Sequence, residues 1–139
     1  MHNTPLSRIA LLVLLATATP VRADPPPQLP GKPMTPAEFA TYAIGRTLSY
    51  AADGAVWGQE QYLPDHRVLW AFSGQDCQYG EWYAQGNAVC FVYEGDPDPK
   101  CWNFYLGPRG LIGADGYTPL SEIGQSSQPL DCQGPLVGT

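Results

Sequence analysis

Few side chains in this sequence have types and spacing that could do chemistry. Beyond residue 23 there is a single histidine, His66, in the turn-like run Pro64-Asp65-His66-Arg67. A nucleophile–histidine–carboxylate relay needs an activated nucleophile beside it. No G-x-S-x-G run is present, so His66 reads as an exposed turn residue. Glu60 and Glu81 could serve as general acid and base, since glycoside hydrolysis uses two carboxyls roughly 5–10 Å apart in a cleft. Both read as lying on polar strand faces, where a solvated glutamate is the ordinary case, and no residue is assigned as catalytic. Glu94, Asp96 and Asp98 alternate around a turn and offer oxygen ligands. The twelve-residue calcium loop with its sixth-position glycine is absent, so a solvated acidic turn is the simpler reading.

The four cysteines are Cys77, Cys90, Cys101 and Cys132. They contain no C-x-x-C and have one histidine for company, so zinc and attached haem are not expected. No metal or cofactor is assigned. An even cysteine count in an exported domain points to two disulfides, with three pairings possible. In a hairpin closed around Asp96-Pro97, Cys90 and Cys101 fall opposite each other. Cys90–Cys101 is therefore preferred, which leaves Cys77 to tether Cys132.

Aromatic side chains are the remaining chemical resource. Trp82 and Tyr83 are adjacent on a strand-like run, so they must face opposite ways and one must leave the core. Exposed tryptophan and tyrosine are enriched at binding hot spots. Trp57, Tyr62, Trp82, Tyr83 and the neighbouring Glu81 are the binding candidates.

The elements that position these residues are mainly strands. Val68, Trp70 and Phe72, then Val89, Phe91 and Tyr93, then Trp102, Phe104 and Leu106 alternate with their neighbours, the period of half-buried strands. Ser73 to Asp76, Gln85 to Asn87 and Gly95 to Lys100 are turn-rich breaks. Thr47 to Ala51 and Ala55 to Leu63 read as earlier strands joined by Asp53-Gly54, a strong hairpin turn, with Gly58 a bulge or close-approach point. Leu111 to Ala114 reads as a short last strand, and the chain from Ser121 onward as irregular. Tyr62, Val68, Trp70 and Phe72 recur 21 residues later as Tyr83, Val89, Phe91 and Tyr93, and Gly58 is answered loosely by Gly80 at a shift of 22. Two similar hairpins explain this better than a solenoid. Met34 to Gly45 is the one helix, with a Thr35/Glu38 capping box, Pro36 at the first position, and Met34 and Phe39 placed as a hydrophobic staple. It would pack on the sheet or plug a barrel. The fold class is mainly β, a small antiparallel meander forming a barrel or sandwich with one short N-terminal helix, from roughly six to eight strands.

Residues 1–23 have the layout of a secretory signal peptide: Arg8, an apolar run from Ile9 to Ala18, and Val21-Arg22-Ala23 before the cut. The run is too short to span a bilayer, so no membrane anchor is expected after cleavage. Residues 24–33 form a proline-rich leader, and 34–139 a single disulfide-bonded domain. From Asp24 on, five basic residues against thirteen acidic ones give a net charge of −8. Such a surface disfavours nucleic acid and steers toward basic partners.

The segment GEWYAQGNAVCFVYEGDPDPKCW, Gly80 to Trp102, resembles a pattern in small uncharacterised exported β-domains of Gram-negative bacteria. There a G-x-W strand, a short turn, a V-C strand, an acidic turn and a Cys-aromatic strand follow one another. The resemblance implies Cys90–Cys101 pairing and a periplasmic location, and it carries over no catalytic residue. The leading expectation is a periplasmic or secreted binding or inhibitor module for a basic protein. The alternatives are a small barrel that binds an apolar or aromatic small molecule, and a hydrolase using carboxylates.

Overall fold

Among the described residues, eight strands follow one helix and close on themselves. The structure, a computed structural model, describes residues 18–22 and 28–132. Most of the segment expected to be a signal peptide (1–17 and 23) and the start of the expected proline-rich leader (24–27) lie outside the described residues. The order is α1 (Pro36–Ala43), β1 (Thr47–Ala52), β2 (Ala55–Tyr62), β3 (Arg67–Phe72), β4 (Gln78–Gln85), β5 (Ala88–Tyr93), β6 (Asp96–Gly107), β7 (Gly110–Ala114) and β8 (Leu120–Ser126). Each strand pairs antiparallel with the next, and β8 returns to β1, giving a closed up-and-down barrel. Closure removes the edge strands an open meander would expose. It also decides between the two expected architectures in favour of the barrel.

Local signals account for much of this. The capping box holds α1: the Glu38 N–H donates to Thr35 Oγ1 at 3.2 Å, and the Thr35 N–H donates to Glu38 Oε2 at 2.8 Å. The helix is shorter than the expected span, because Ile44 caps it in an extended conformation. Asp53 and Gly54 both take positive φ, 50° and 76°, as a two-residue hairpin turn with matching twist requires.

The helix plugs one end of the barrel. Phe39 is fully buried and meets Tyr62, Trp82 and Phe91 edge-on at 5.5–6.5 Å, while stacking on Phe104 at 4.4 Å. The plug is also bolted by a buried carboxylate. Glu122 on β8 accepts from the Tyr42 hydroxyl at 2.7 Å, the Leu111 N–H at 2.7 Å and the Gln125 amide at 2.9 Å.

Three expectations need correction. The chain from Ser121 onward is not irregular, because Leu120–Ser126 forms the closing strand β8. Leu111 to Ala114 is accordingly the penultimate strand. The pattern hid β8 because its polarity is inverted: Glu122 faces inward at 8 % exposure and Ile123 outward at 53 %. Gly95 to Lys100 is not all turn, since β6 starts at Asp96. Tyr93 pairs with Asp96 and Phe91 with Lys100, so Pro97 to Pro99 bulge from the ladder, the place where prolines without N–H donors are tolerated.

Two more bulges flank Tyr50. On β2, Tyr50 pairs with Gly58 and Ala51 with Val56, leaving Trp57 as the extra residue. On β8, Ser49 pairs with Gly124 and Tyr50 with Glu122, leaving Ile123. Bulges bend a strand and re-aim its side chains, and both matter to the interior. Gly58 is a close-approach point as well: a Cβ there would stand 2.5 Å from the Trp70 ring and closer still to the Ala71 carbonyl. Gly80, its counterpart in the second hairpin, would meet Tyr93 at 2.6 Å.

Both expected disulfides are present, Cys90–Cys101 across the β5–β6 ladder and Cys77–Cys132 from the start of β4 to the tail. The tail is further held by the Thr47 hydroxyl donating to the Gln128 carbonyl and the Leu130 N–H donating to Gln61 Oε1. The two disulfides mark an oxidising, extracytoplasmic setting. Among the described residues no helix is long and apolar enough to cross a membrane. The outward strand positions mix polar residues, Ser49, Gln59, Gln61, Glu81 and Gln85, with apolar and aromatic ones, Val56, Tyr79, Tyr83, Leu106 and Ile123.

Candidate functional site, the barrel interior

Inward-facing strand positions fill the plugged half of the barrel and leave the other half hollow. The cavity measures about 1120 Å³ and opens between the turns opposite α1. An eight-stranded barrel is just wide enough to hold one small ligand, and this volume lies at the upper end of ligand pockets. Its wall is aromatic. Trp57 packs on Trp70 at 4.8 Å, on Phe72 at 5.4 Å and toward Trp102 at 6.3 Å. Trp57 joins this group because of the β2 bulge, which turns it to the same side as Gly58.

At the base of the hollow are the polar groups. Tyr50 and Tyr62, on β1 and β2, share a buried hydroxyl–hydroxyl hydrogen bond of 2.8 Å. Glu60 stands two residues before Tyr62 on the same inner face and is only 4 % exposed. The Tyr93 hydroxyl, from β5 across the barrel, lies 2.9 and 3.0 Å from its two carboxyl oxygens. One hydroxyl carries one proton, so most of the acceptor capacity of this carboxyl is unmet by protein. The expected polar-face position of Glu60 is therefore corrected: β2 turns it inward, in phase with Tyr62.

Electrostatics follow from the burial. Desolvation pushes the Glu60 carboxyl well above the usual carboxylate range, and the Tyr93 hydrogen bond only partly opposes it. Burial, then the neighbouring Glu60 charge, raises the Tyr93 phenol far above its ordinary value, so it remains a donor. Tyr50 and Tyr62 are likewise raised, chiefly by burial. Glu60 thus costs the fold more as pH rises. Its folded value lies above its unfolded value of 4.5, so the stability tied to its neutral form is complete below about pH 4.5 and is lost as pH climbs toward the folded value. Glu60→Gln, which keeps an acceptor for Tyr93 without the charge, is expected to remove that slope. The stability difference between wild type and variant should change by up to about 1.4 kcal/mol per pH unit in the window. Chemical denaturation of both proteins from pH 4 to 8 checks this, and parallel curves would contradict it.

The binding candidates divide between interior and surface. Trp57 lines the cavity wall and Tyr62 its base. Trp82 is buried at the plugged end beneath Phe39, with the His66 ring stacked on it at 3.7 Å. Its Nε1–H has no partner, alone among the buried side-chain polar atoms of the described residues. Tyr83 and Glu81 point outward, Tyr83 at 42 % exposure. Glu60 and Glu81 therefore occupy opposite faces of the barrel wall and do not share a cleft. His66 is an exposed turn residue with φ of 57°. Asp96 is engaged by Lys100 at 3.1 Å and by the Asp98 N–H at 3.2 Å. Among the described residues no group of three or more His, Cys, Asp or Glu is placed to hold a metal.

Tyr50, Tyr93 and Trp70 belong to the site but were not among the candidates. A signal existed: Tyr93 follows Val89 and Phe91 at period two, and Glu60 precedes Tyr62 by two. No family model, curated protein or solved structure matches this chain.

Proposed function

We propose that this protein binds a small molecule with an apolar or aromatic body inside its barrel, and does so in the periplasm. The observation that carries this reading is the hollow itself: an aromatic wall, a buried polar base and one open end. Ligand sites are mostly apolar concavities with a few convergent polar groups. Two disulfides, and the resemblance of Gly80 to Trp102 to exported β-domains, support the periplasmic location. Tyr83 and Glu81, with the exposed Tyr79 on the same outer face of β4, support a weaker second reading in which a protein partner docks there.

Nile red, a neutral apolar fluorophore, tests the interior reading. It should bind saturably at one per chain, with a blue-shifted emission. Ala52 is half-buried at the cavity mouth, and Ala52→Trp should fill that mouth and weaken binding by about tenfold or more, equivalent to about 1.4 kcal/mol. Circular dichroism should show the fold retained. No saturable binding to wild type, or equal binding to Ala52→Trp, would overturn the reading.

A further inference from the structure

We propose that the ligand is a cation, a protonated amine carried on an apolar or aromatic body, with its ammonium group seated between Glu60 and the aromatic wall. This rests on the interior-binding reading and deepens it. Three independent features of the hollow point to positive charge.

The first is the unmet carboxyl. Glu60 is buried, lines the cavity and, among the described residues, receives a hydrogen bond from Tyr93 alone. An ammonium group brings three donors and would complete it. The second is the wall. Trp57, Trp70, Phe72 and Trp102 present ring faces and edges around one space, and a cation over tryptophan faces is attracted by the ring quadrupole, most strongly where water is excluded. The third is the mouth. Asp53, Glu94, Asp96 and Asp115 line it, and the one base among the lining residues, Lys100, is tied to Asp96 and to the Asp98 carbonyl. A cleft lined by one sign of charge concentrates the opposite ion and repels its own. A neutral hydroxyl ligand would share the wall and one hydrogen bond to Glu60 but gain no charge pair, and an anionic one would be repelled by the acidic rim.

The groups facing Glu60 define the proton balance. They are Tyr50 from β1, Tyr62 from β2 and Tyr93 from β5, all held as neutral hydroxyls. β3 contributes the non-ionising Trp70, and Glu122 on β8 is taken up by Tyr42, Leu111 and Gln125. Burial shifts the empty-site carboxyl toward its protonated form. Entry of the ammonium ion forms a carboxylate–ammonium pair, and where Glu60 carries its proton beforehand that proton leaves to solvent.

Calorimetry with three probes on one indole body tests this: tryptamine (cationic), tryptophol (neutral) and indole-3-propionate (anionic). Tryptamine should bind wild type about tenfold or more tightly than tryptophol, and indole-3-propionate should not bind measurably. Titrations in buffers of different ionisation enthalpy should show protons released with tryptamine, up to one per cation and more at lower pH, and none with tryptophol. Glu60→Gln should bring tryptamine down to about the level of tryptophol on the same variant. The comparison of tryptamine with tryptophol uses wild type, so it decides the matter even if the variant misfolds. Equal binding of tryptamine and tryptophol without proton release would overturn the cation assignment. If Nile red still binds in that case, the interior reading stands and only the cation fails. If neither Nile red nor any indole binds, both fail.

Discussion

Phe39→Ala is expected to destabilise the protein by about 3–5 kcal/mol, the largest effect of any single substitution considered. Phe39 is fully buried and meets four aromatic rings, Tyr62, Trp82, Phe91 and Phe104. Truncation removes its transfer free energy and leaves a void among side chains that are anchored on strands and cannot collapse into it. For a domain of about this size, a loss of that order lowers Tm by more than 10 °C. The helix has little to fall back on, because an eight-residue helix is marginal without tertiary packing. Amide exchange should consequently show α1 and its Tyr42–Glu122 bond opening before the barrel unfolds. Thermal and urea denaturation measure the loss. A change below about 1 kcal/mol would mean that the helix is not the plug described here.

Removing the Cys77–Cys132 bridge by paired serine substitutions is expected to cost about 4 kcal/mol, against about 3 kcal/mol for removing Cys90–Cys101. The difference comes from the unfolded chain. The first bridge closes a loop across a separation of 55 residues and the second one across 11, and the longer loop surrenders more conformational freedom when closed. Folded-state packing adds to the contrast. The β5–β6 ladder keeps Cys90 and Cys101 opposed without the bond, whereas among the described residues the tail is tied to β1 and β2 by two hydrogen bonds, from Thr47 and to Gln61. The midpoints of urea unfolding for the two paired variants rank the bridges. The opposite ranking would show that the tail does not depend on its disulfide.

Some of the candidate site was legible and some was inverted. Alternation places Val68, Trp70, Phe91 and Phe104 inside, since period two assigns a face once one neighbour is buried. The same rule applied to Glu60 links it to Tyr62 at the inner face. The glutamate nonetheless read as solvated, because an acid inside a small barrel is rare unless something distant receives it. Trp57 stayed ambiguous for a different reason. The bulge that turns it inward is a mismatch between two strands, and neither strand shows it alone. The 21-residue repeat is likewise a half-truth. It carries Val68, Trp70 and Phe72 of β3 onto Val89, Phe91 and Tyr93 of β5 at the same inner face, yet it carries the buried Tyr62 onto the exposed Tyr83. The inner face of β2 maps onto β4 with a shift of 22, as Gly58 onto Gly80.

The sequence by itself determined the meander of hairpins, the capped helix and the facing of Cys90 to Cys101. All three are written in contacts between residues close along the chain: turn residues that accept positive φ, a Thr35/Glu38 box three residues wide, and a pleat of period two. Tertiary structure alone decided the closure by β8, the burial of Glu122 and Glu60, and hence the hollow that Glu60 lines. The physical reason is that a buried carboxyl must find its donors, and here they come from far along the chain. Tyr93 lies 33 residues from Glu60, and Tyr42 lies 80 residues from Glu122. Only closing the barrel brings such pairs together.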